Sequence, residues 1–296
     1  MLRLLRSEFY RLRRRWIFWV LLATILATPF LLYLLVYFSA NAQLQNLRSG
    51  NTTIPPEAAR GQALAIEQTL RMLRPDRVQA FGVSVVNGLG TIMLIVFAAS
   101  HLGTEYGWGT LRTLLAHGAS RGGFLAAKCV SLLLFAIGFA FIGAVAAIAA
   151  SYLTSAIAGF ATSPGVDLGE VASASAHGVF GFVPYMALAT AFAIATRAAG
   201  SGITAGLVVY FAEGIVAGVL VSLNRDFAQV VNYGISRNVA SITRVASAPV
   251  ATSPSGEPLP TTLPDPGQAA VVLLLYTVVF LGFAWWQLRR RDVTLG

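Results

Sequence analysis

Residues 129–153 have the sequence CVSLLLFAIGFAFIGAVAAIAASYL, 25 consecutive positions without a charged side chain. A helix of about 20 apolar residues crosses the hydrocarbon core of a bilayer. Five more stretches have a similar character, although three of them contain Gly, Asn, Pro or Glu. The sequence therefore predicts six membrane spans, at residues 16–38, 81–102, 129–153, 177–196, 200–223 and 268–288.

The composition of the 296-residue chain supports a membrane protein. Charged residues make up 11% and hydrophobic residues 56%, whereas typical globular domains are about 25% charged. So few charges cannot cover the surface of a soluble protein, and a chain this apolar is not disordered. We expect an all-α integral membrane protein whose residues 1–296 form a single transmembrane domain.

The net charge of +9 follows the predicted topology. With the N-terminus in the cytoplasm, the inner segments hold 13 basic residues in 52 positions and the outer segments 8 in 109. Basic residues concentrate on the cytoplasmic side, and tryptophan favours the interface. This distribution predicts that both termini lie on the cytoplasmic side of the membrane, which we expect to be a bacterial inner membrane. It also explains the positive charge without a nucleic-acid partner. The five tryptophans agree, since all lie near the inner boundary: Trp16, Trp19, Trp108, Trp285 and Trp286.

The segments outside the spans show helical patterns of their own. Apolar residues spaced three and four apart predict an N-terminal interfacial helix over residues 1–15, the alternative being a plain positive flank. The extracytoplasmic loop 39–80 contains a second helix, which starts at Pro55-Pro56 and stops at Pro75. The loop 224–267 becomes rich in proline, and we expect that part to be extended or mobile. The two apolar stripes are Leu2, Leu5, Phe9, Leu12 and Trp16, and Ala59, Ala63, Ile66, Leu70 and Leu73.

The most informative segment is the cytoplasmic loop 103–128, GTEYGWGTLRTLLAHGASRGGFLAAK. Thr104 is placed to cap a short helix, with Leu111, Leu114 and Leu115 on one face. His117-Gly118 would end that helix, and Ser120 would cap the next one, which leads into the third span. A short amphipathic helix between two spans is suited to docking onto a soluble protein.

Some chemistries are excluded by what the sequence lacks. Cys129 is the only cysteine, which excludes an internal disulfide and a thiolate metal cluster. The P-loop pattern ends in Gly-Lys-Ser/Thr, but the only lysine, Lys128, is followed by Cys129. The three histidines lie in separate segments, and we expect no metal site. The chain is therefore not expected to hydrolyse ATP itself.

The cytoplasmic loop 103–128 carries a family resemblance. Glu105-x4-Thr110-Leu111-Arg112-x2-Leu115, followed by Gly118-x-Ser120-Arg121-x2-Phe124-Leu125-x2-Lys128, resembles the loop between the second and third spans of type-2 ATP-binding-cassette (ABC) exporter permeases. The whole layout is similar too, with an N-terminal interfacial helix, six spans and both ends inside. We call residues 103–128 the coupling loop, because in that family this loop forms a coupling helix.

The resemblance implies a function and partners. It implies a permease subunit, in an exporter, that forms the transmembrane pathway and is driven by a separate ABC ATPase carrying the ATP and Mg. It also implies a second permease copy, in a homodimer or heterodimer, and contact with membrane lipids. The alternative is that Glu105 and Arg121 only anchor the loop to headgroups and to each other. The residues that the resemblance assigns to ATPase coupling are Glu105, Thr110, Leu111, Arg112, Leu115 and Arg121.

Polar and small residues within the spans suggest further roles. Glu213 is the one acidic residue in the middle of a span, where charge is costly and often functional. It is a candidate for the substrate path together with Asn87. The alternative is a protonated or hydrogen-bonded carboxyl that locks spans together, for example through Asn87 or a tyrosine. Pairs of small residues allow close helix packing, and the fifth span has two such pairs: Gly202 with Gly206, and Gly214 with Gly218.

Two other classes of membrane protein compete with the permease. A rhomboid-like intramembrane protease would need a membrane-embedded serine and a histidine on another span, but the Gly118-x-Ser120 pattern lies in a cytoplasmic loop and the sixth span has no histidine. The sequence also lacks His-Glu-x-x-His and paired intramembrane aspartates. An ion-coupled secondary transporter, or another six-span protein without an ATPase, would be expected to show inverted repeats and several intramembrane charges. ATP dependence of transport in vesicles separates these classes.

Overall fold

The computed structural model describes residues 10–12, 14–49, 55–109, 120–223, 227–243 and 263–290. Every regular element in these residues is helical. Six helices are long and apolar enough to cross a membrane, so the predicted all-α membrane fold is confirmed. The helices are α1 (Trp16–Arg48), α2 (Pro56–Met72), α3 (Ser84–Gly107, preceded by turns at Pro75–Arg77 and Gln79–Val83), α4 (Arg121–Ala158), α5 (Leu168–Thr196), α6 (Ala199–Leu223), α7 (Phe227–Val231), α8 (Ile235–Thr243) and α9 (Pro266–Arg290).

Several helices are longer than the predicted spans. Helix α1 has 33 residues and α4 has 38, which corresponds to roughly 50 and 57 Å, against about 30 Å of hydrocarbon. Both therefore continue beyond the apolar stretch. Helix α4 ends where Gly159 adopts a φ of 68°, and the amide of Phe160 donates to the carbonyl of Ser155 at 3.0 Å. This arrangement is a glycine C-cap, which satisfies a terminal carbonyl.

The helix predicted in the loop 39–80 is confirmed. Helix α2 starts at Pro56, with Pro55 at its N-cap, and ends before Pro75. The interfacial helix predicted over 1–15 and the proline-rich segment lie largely outside the described residues. Within the former, residues 10–12 are helical.

The chain divides into two compact units. The second unit comprises residues 20–88 and 139–176. Its core contains Tyr33, Leu73 and Ala150, which are almost completely buried. The Tyr33 hydroxyl lies so close to Gly82 that a side chain there would collide with it. Leu73, which directly follows α2, and Leu70 within α2 thus place the end of this helix in the same core as residues of α1 and α4.

Polar contacts also hold the second unit together. The side-chain amide of Gln79 donates a hydrogen bond to the Glu170 carboxylate. The guanidinium of Arg74 donates to the carbonyls of Ala161 and Ser163, at 3.3 and 3.2 Å. These bonds connect the segment after α2 to the first turn of α5 and to the segment between α4 and α5.

The first unit comprises residues 1–19, 89–138 and 177–296. In it α6 packs closely against α3 and α5 at two of the predicted packing glycines. A Cβ atom at Gly202 would lie 2.9 Å from the Cβ atoms of Ala99 and Ala193. A Cβ at Gly206 would collide with Ile95. Only glycine allows this approach, so the first small-residue pair serves packing within the chain.

The second small-residue pair lies in a different environment. A Cβ at Gly214 would meet no atom within 4 Å among the described residues. The surroundings of Gly218 are not among those that the structure describes. The neighbouring α6 side chains Phe211 and Ile215 are 53% and 68% exposed. If Gly214 allows close helix packing, its partner is therefore not among the described residues of this chain.

Candidate functional site

A buried ion pair joins the two ends of the coupling loop. Glu105 lies in the last turn of α3, and Lys128 lies two turns into α4. The Lys128 Nζ is 2.9 Å from the Glu105 Oε1. The two side chains are 0% and 1% exposed. A buried charge is costly unless it is paired, and this pair explains how the sequence can place a lysine inside a membrane helix.

Two arginines from the N-terminal segment complete the cluster. The Arg15 Nη2 is 3.3 Å from the same Oε1 of Glu105, and its side chain is 12% exposed. The Arg11 Nη1 is 3.7 Å from Oε2, and its side chain is 40% exposed. Glu105 also lies near a helix C-terminus, where the helix dipole disfavours negative charge. Cations from two other segments therefore stabilise it. We call Arg11, Arg15, Glu105 and Lys128 the Glu105 cluster.

Aromatic rings flank the cations of the Glu105 cluster. The Arg15 guanidinium lies 5.3 Å from the centre of the Trp108 ring, and the Lys128 Nζ lies 5.6 Å from that of Phe124. Both are cation–π distances. Trp108 and Phe124 belong to the two sides of the coupling loop, so these contacts strengthen the same connection.

A histidine packs beside the cluster. The His101 Nε2 is 3.2 Å from the Ser131 hydroxyl, which donates to the Lys128 carbonyl at 2.8 Å. The His101 ring stacks on Phe97 at 5.7 Å. This histidine therefore lies in the packed interior between α3 and α4. Among the described residues, no group of three His, Cys, Asp or Glu side chains could hold a metal ion.

Arg121, at the first position of α4, contacts the end of α9. Its Nη1 donates to the carbonyls of Leu288 and Arg289, at 2.9 and 2.7 Å. The last carbonyls of a helix have no partner within the helix and carry partial negative charge. Arg121 is therefore a C-cap for α9. Next to it, a Cβ at Gly122 would be 3.0 Å from the Trp285 ring, so the two helices approach closely here.

The capping predictions for the coupling loop had different outcomes. The amide of Gly123 donates to the Ser120 hydroxyl at 3.0 Å, and α4 begins at Arg121. The prediction for Ser120 is confirmed. The prediction for Thr104 is wrong, because α3 continues to Gly107 and the Thr104 hydroxyl donates back to the Ser100 carbonyl at 2.7 Å. Since cations neutralise Glu105, the helix does not have to end before it.

The remaining predicted coupling residues, Thr110, Leu111, Arg112 and Leu115, lie outside the described residues. The structure therefore describes the two ends of the coupling loop. Their coupling role stays a prediction.

Glu213 is hydrogen-bonded to backbone amides. Its Oε2 accepts from the amide of Ser236 at 3.1 Å. Its Oε1 lies against Gly234, where a side chain would collide with it. Ser236 is in the first turn of α8, whose amides have no partner within the helix and favour an anion. This geometry supports the alternative in which a hydrogen-bonded carboxyl holds helices together. The partner is the N-terminus of α8, whereas Asn87 or a tyrosine had been given as examples from the sequence.

Asn87 has a backbone partner of its own. Its Nδ2 donates to the Ala174 carbonyl at 3.3 Å. This bond lies within the second unit and connects α3 to α5. The role of Asn87 in a substrate path stays a prediction.

The partners of Glu105 were not evident from the sequence. Lys128 was placed at the end of the family motif, and Arg11 and Arg15 fall within the predicted interfacial helix 1–15 without being singled out. A signal was present, because Lys128 is the one lysine among 21 basic residues and directly precedes a long apolar stretch. The partner arginine, 90 residues away in sequence, had no such signal.

A comparison with protein families identifies the chain. Residues 2–293 match the family described as ABC-2 family transporter protein. No curated protein matches the chain at a significant level. The family match covers nearly the whole sequence, so the chain belongs to the ABC-2 transporter family. It is a multi-pass membrane protein and a permease subunit of an ABC transporter, as the resemblance predicted.

Proposed function

We propose that this permease is the membrane subunit of a bacterial exporter and is driven by a separate ATPase that docks on the coupling loop. The observation that supports this most is the Glu105 cluster. It joins the N-terminal segment, the end of α3 and the start of α4 through one carboxylate. A force applied to the loop between α3 and α4 would reach all three together.

Arg121 extends this connection to a fourth helix. Its bonds to the carbonyls of Leu288 and Arg289 link the start of α4 to the end of α9. ATP binding, with Mg, on the partner would bring two ATPases together and move two coupling loops. A second permease copy supplies the other loop, in a homodimer or a heterodimer. The permease pair would then switch between inward-facing and outward-facing forms.

The docking part of this proposal is tested by capture of the partner ABC ATPase. The wild-type permease, purified in detergent, is expected to retain the ATPase, and Leu111→Asp with Leu115→Asp is expected to lose it. A charge on an apolar docking face is costly to desolvate. Unchanged capture would show that the ATPase does not dock on this face. Glu57→Gln, on the exposed side of α2, is the matched control.

The coupling part is tested by a different variant. Arg15→Gln leaves the predicted docking face intact but removes one cation of the Glu105 cluster. We expect the ATPase still to be captured, while the stimulation of its activity by the permease falls several-fold. Full stimulation would mean that the Glu105 cluster only supports the fold. A melting curve of the variant in detergent distinguishes loss of coupling from unfolding.

The orientation is tested with single cysteines in a Cys129→Ser background. Gly61 on α2 has no neighbouring atom within 4 Å of a Cβ position, and Trp108 is 68% exposed. With both termini in the cytoplasm, a membrane-impermeant maleimide should label Gly61→Cys in intact cells. It should label Trp108→Cys only after the membrane is opened. The opposite pattern would reverse the orientation.

A further inference from the structure

The first unit contains an apolar cavity of about 230 Å³. Its walls come from α4, α5 and α9, and they are almost entirely apolar. Val130 and Leu133, both on its lining, are 40% and 41% exposed. The cavity therefore has an open side formed by side chains of a membrane-spanning helix. Representative lining residues are Cys129, Leu133, Met186, Thr190 and Leu281.

Basic residues lie at the end of α9 beyond this cavity. Arg289 and Arg290 are exposed. Their guanidinium groups lie 5.6 Å from the Trp285 ring and 4.6 Å from the Trp286 ring. These are the only contacts described for the two guanidinium groups among residues 263–290 and the rest of the described chain. Each guanidinium group thus lies against an indole ring at an exposed position, where an anion can reach it.

The spacing between the cavity and the basic end is similar on two helices. On α9, Leu281 lines the cavity and Arg289 lies eight residues further, which is about 12 Å along the helix. On α4, Cys129 lines the cavity and the Arg121 cap lies eight residues earlier, again about 12 Å away. Arg121 bonds to the Arg289 carbonyl, so the start of α4 and the end of α9 lie together. On both helices this end is about 12 Å from the residue that lines the cavity.

We propose that this cavity and the Arg289–Arg290 pair bind one anionic phospholipid. An acyl chain fills the apolar cavity, and the phosphate contacts the two guanidinium groups. Tryptophan rings favour the headgroup region, and basic pockets between membrane helices on the cytoplasmic side recognise anionic headgroups. The proposed orientation puts this end in the cytoplasmic leaflet. The lipid site is independent of the cargo and of the ATPase, so capture experiments do not test it.

The headgroup is tested by native mass spectrometry of the full chain in detergent. The probes are phosphatidylglycerol and phosphatidylcholine with identical acyl chains. We expect tighter binding of phosphatidylglycerol. Arg289→Ala with Arg290→Ala should lower that affinity by about 25-fold, since each basic group near an anionic surface contributes roughly fivefold. Arg48→Ala with Arg60→Ala, two exposed arginines of the second unit, should leave it unchanged.

The cavity is tested by blocking its open side. Leu133→Trp should lower the affinity for phosphatidylglycerol at least severalfold. Ile137→Trp, one turn further on the same helix and 48% exposed, should not. Both positions are exposed enough to accept tryptophan without disturbing the core. In the wild-type chain, phosphatidylglycerol should also slow the reaction of Cys129 with N-ethylmaleimide.

Two results would overturn the proposal. Equal affinity for the two lipids would remove the role of the arginines. A loss of affinity in the arginine variant, but none in Leu133→Trp and no protection of Cys129, would mean that the headgroup binds without the cavity.

Discussion

Two glutamates on membrane helices are stabilised in different ways. Glu105 is 1% exposed and contacts side-chain cations from two other segments. Glu213 is partly buried and accepts a hydrogen bond from the backbone at the start of α8. Both solve the problem of a carboxylate in an apolar environment. They differ in whether the compensating charge is a movable side chain or a fixed helix terminus.

This difference bears on function. Among the cations around Glu105, Arg15 and Lys128 lie 90 and 23 residues away in sequence, and these side chains can turn toward water or headgroups if the segments separate. The amides around Glu213 move only if α8 moves. The Glu105 cluster is therefore suited to a joint that rearranges during transport, whereas Glu213 is suited to fixing a short helix in place. Each of the following experiments removes the contacts of one of these two glutamates and leaves those of the other intact.

The largest effect is expected for Glu105→Ala. It leaves the buried Lys128 and the partly buried Arg15 without their carboxylate. Removing one partner of a buried ion pair costs about 3–5 kcal/mol. The measurement is the free energy of unfolding in detergent micelles, with Glu57→Ala as the exposed control. A loss below about 1 kcal/mol would show that water or lipid already compensates these charges.

The next experiment removes both buried charges at once. Glu105→Gln with Lys128→Met replaces the ion pair by groups of similar size. We expect the double variant to be more stable than the sum of the two single changes by about 1–3 kcal/mol. A double-mutant cycle measures this difference in the free energy of unfolding. Simple additivity would mean that the 2.9 Å contact contributes no coupling energy.

A smaller effect is expected at Glu213. Glu213→Leu removes the acceptor at the start of α8 and should cost about 1–2 kcal/mol, as for the loss of a helix cap. Glu213→Gln keeps an acceptor oxygen and should preserve both folding and transport. Melting curves and transport rates of the two variants are compared directly. Loss of transport in a well-folded Gln variant would instead favour a role in the substrate path.

The smallest effect is expected for Arg11→Gln. This side chain is 40% exposed and 3.7 Å from Glu105, and exposed ion pairs contribute about 0–1 kcal/mol. The cost should fall further as salt is raised, because salt screens exposed charges. The matched change Arg15→Gln, at a side chain 12% exposed, should cost more and depend less on salt. Equal effects would mean that burial does not separate the two arginines.

Much of the fold followed from apolar length alone. The six stretches predicted as spans lie within the six long helices, the second of which is continuous from the π-helical turn at Gln79 to Gly107. A run of apolar residues has few alternatives in a bilayer. The prolines around residues 55 and 75 marked α2 correctly. Helix ends were less predictable. Thr104 follows an apolar stretch but remains helical, because cations from other segments neutralise its neighbour Glu105.

The candidate site was predictable only in part. Sequence motifs singled out Glu105 and Arg121, and both make connections at the ends of the coupling loop. Their partners were not identified, because the partners of a charge are set by which helices meet. The prediction for Glu213 had the same limit. A hydrogen-bonded carboxyl was one alternative, but the amide of Ser236 could not be named from the sequence.

The sequence by itself determined the class of protein, the number of long helices and the segment between α3 and α4 as the family's coupling motif. These depend on apolar content and on local residue order, which the chain carries along its length. The tertiary structure alone decided that Lys128 and Arg15 share the Glu105 carboxylate and that Arg121 caps α9. It also decided that Glu213 binds the start of α8. The reason is physical, since a buried charge must be neutralised by whichever group the packing of distant segments brings within bonding distance.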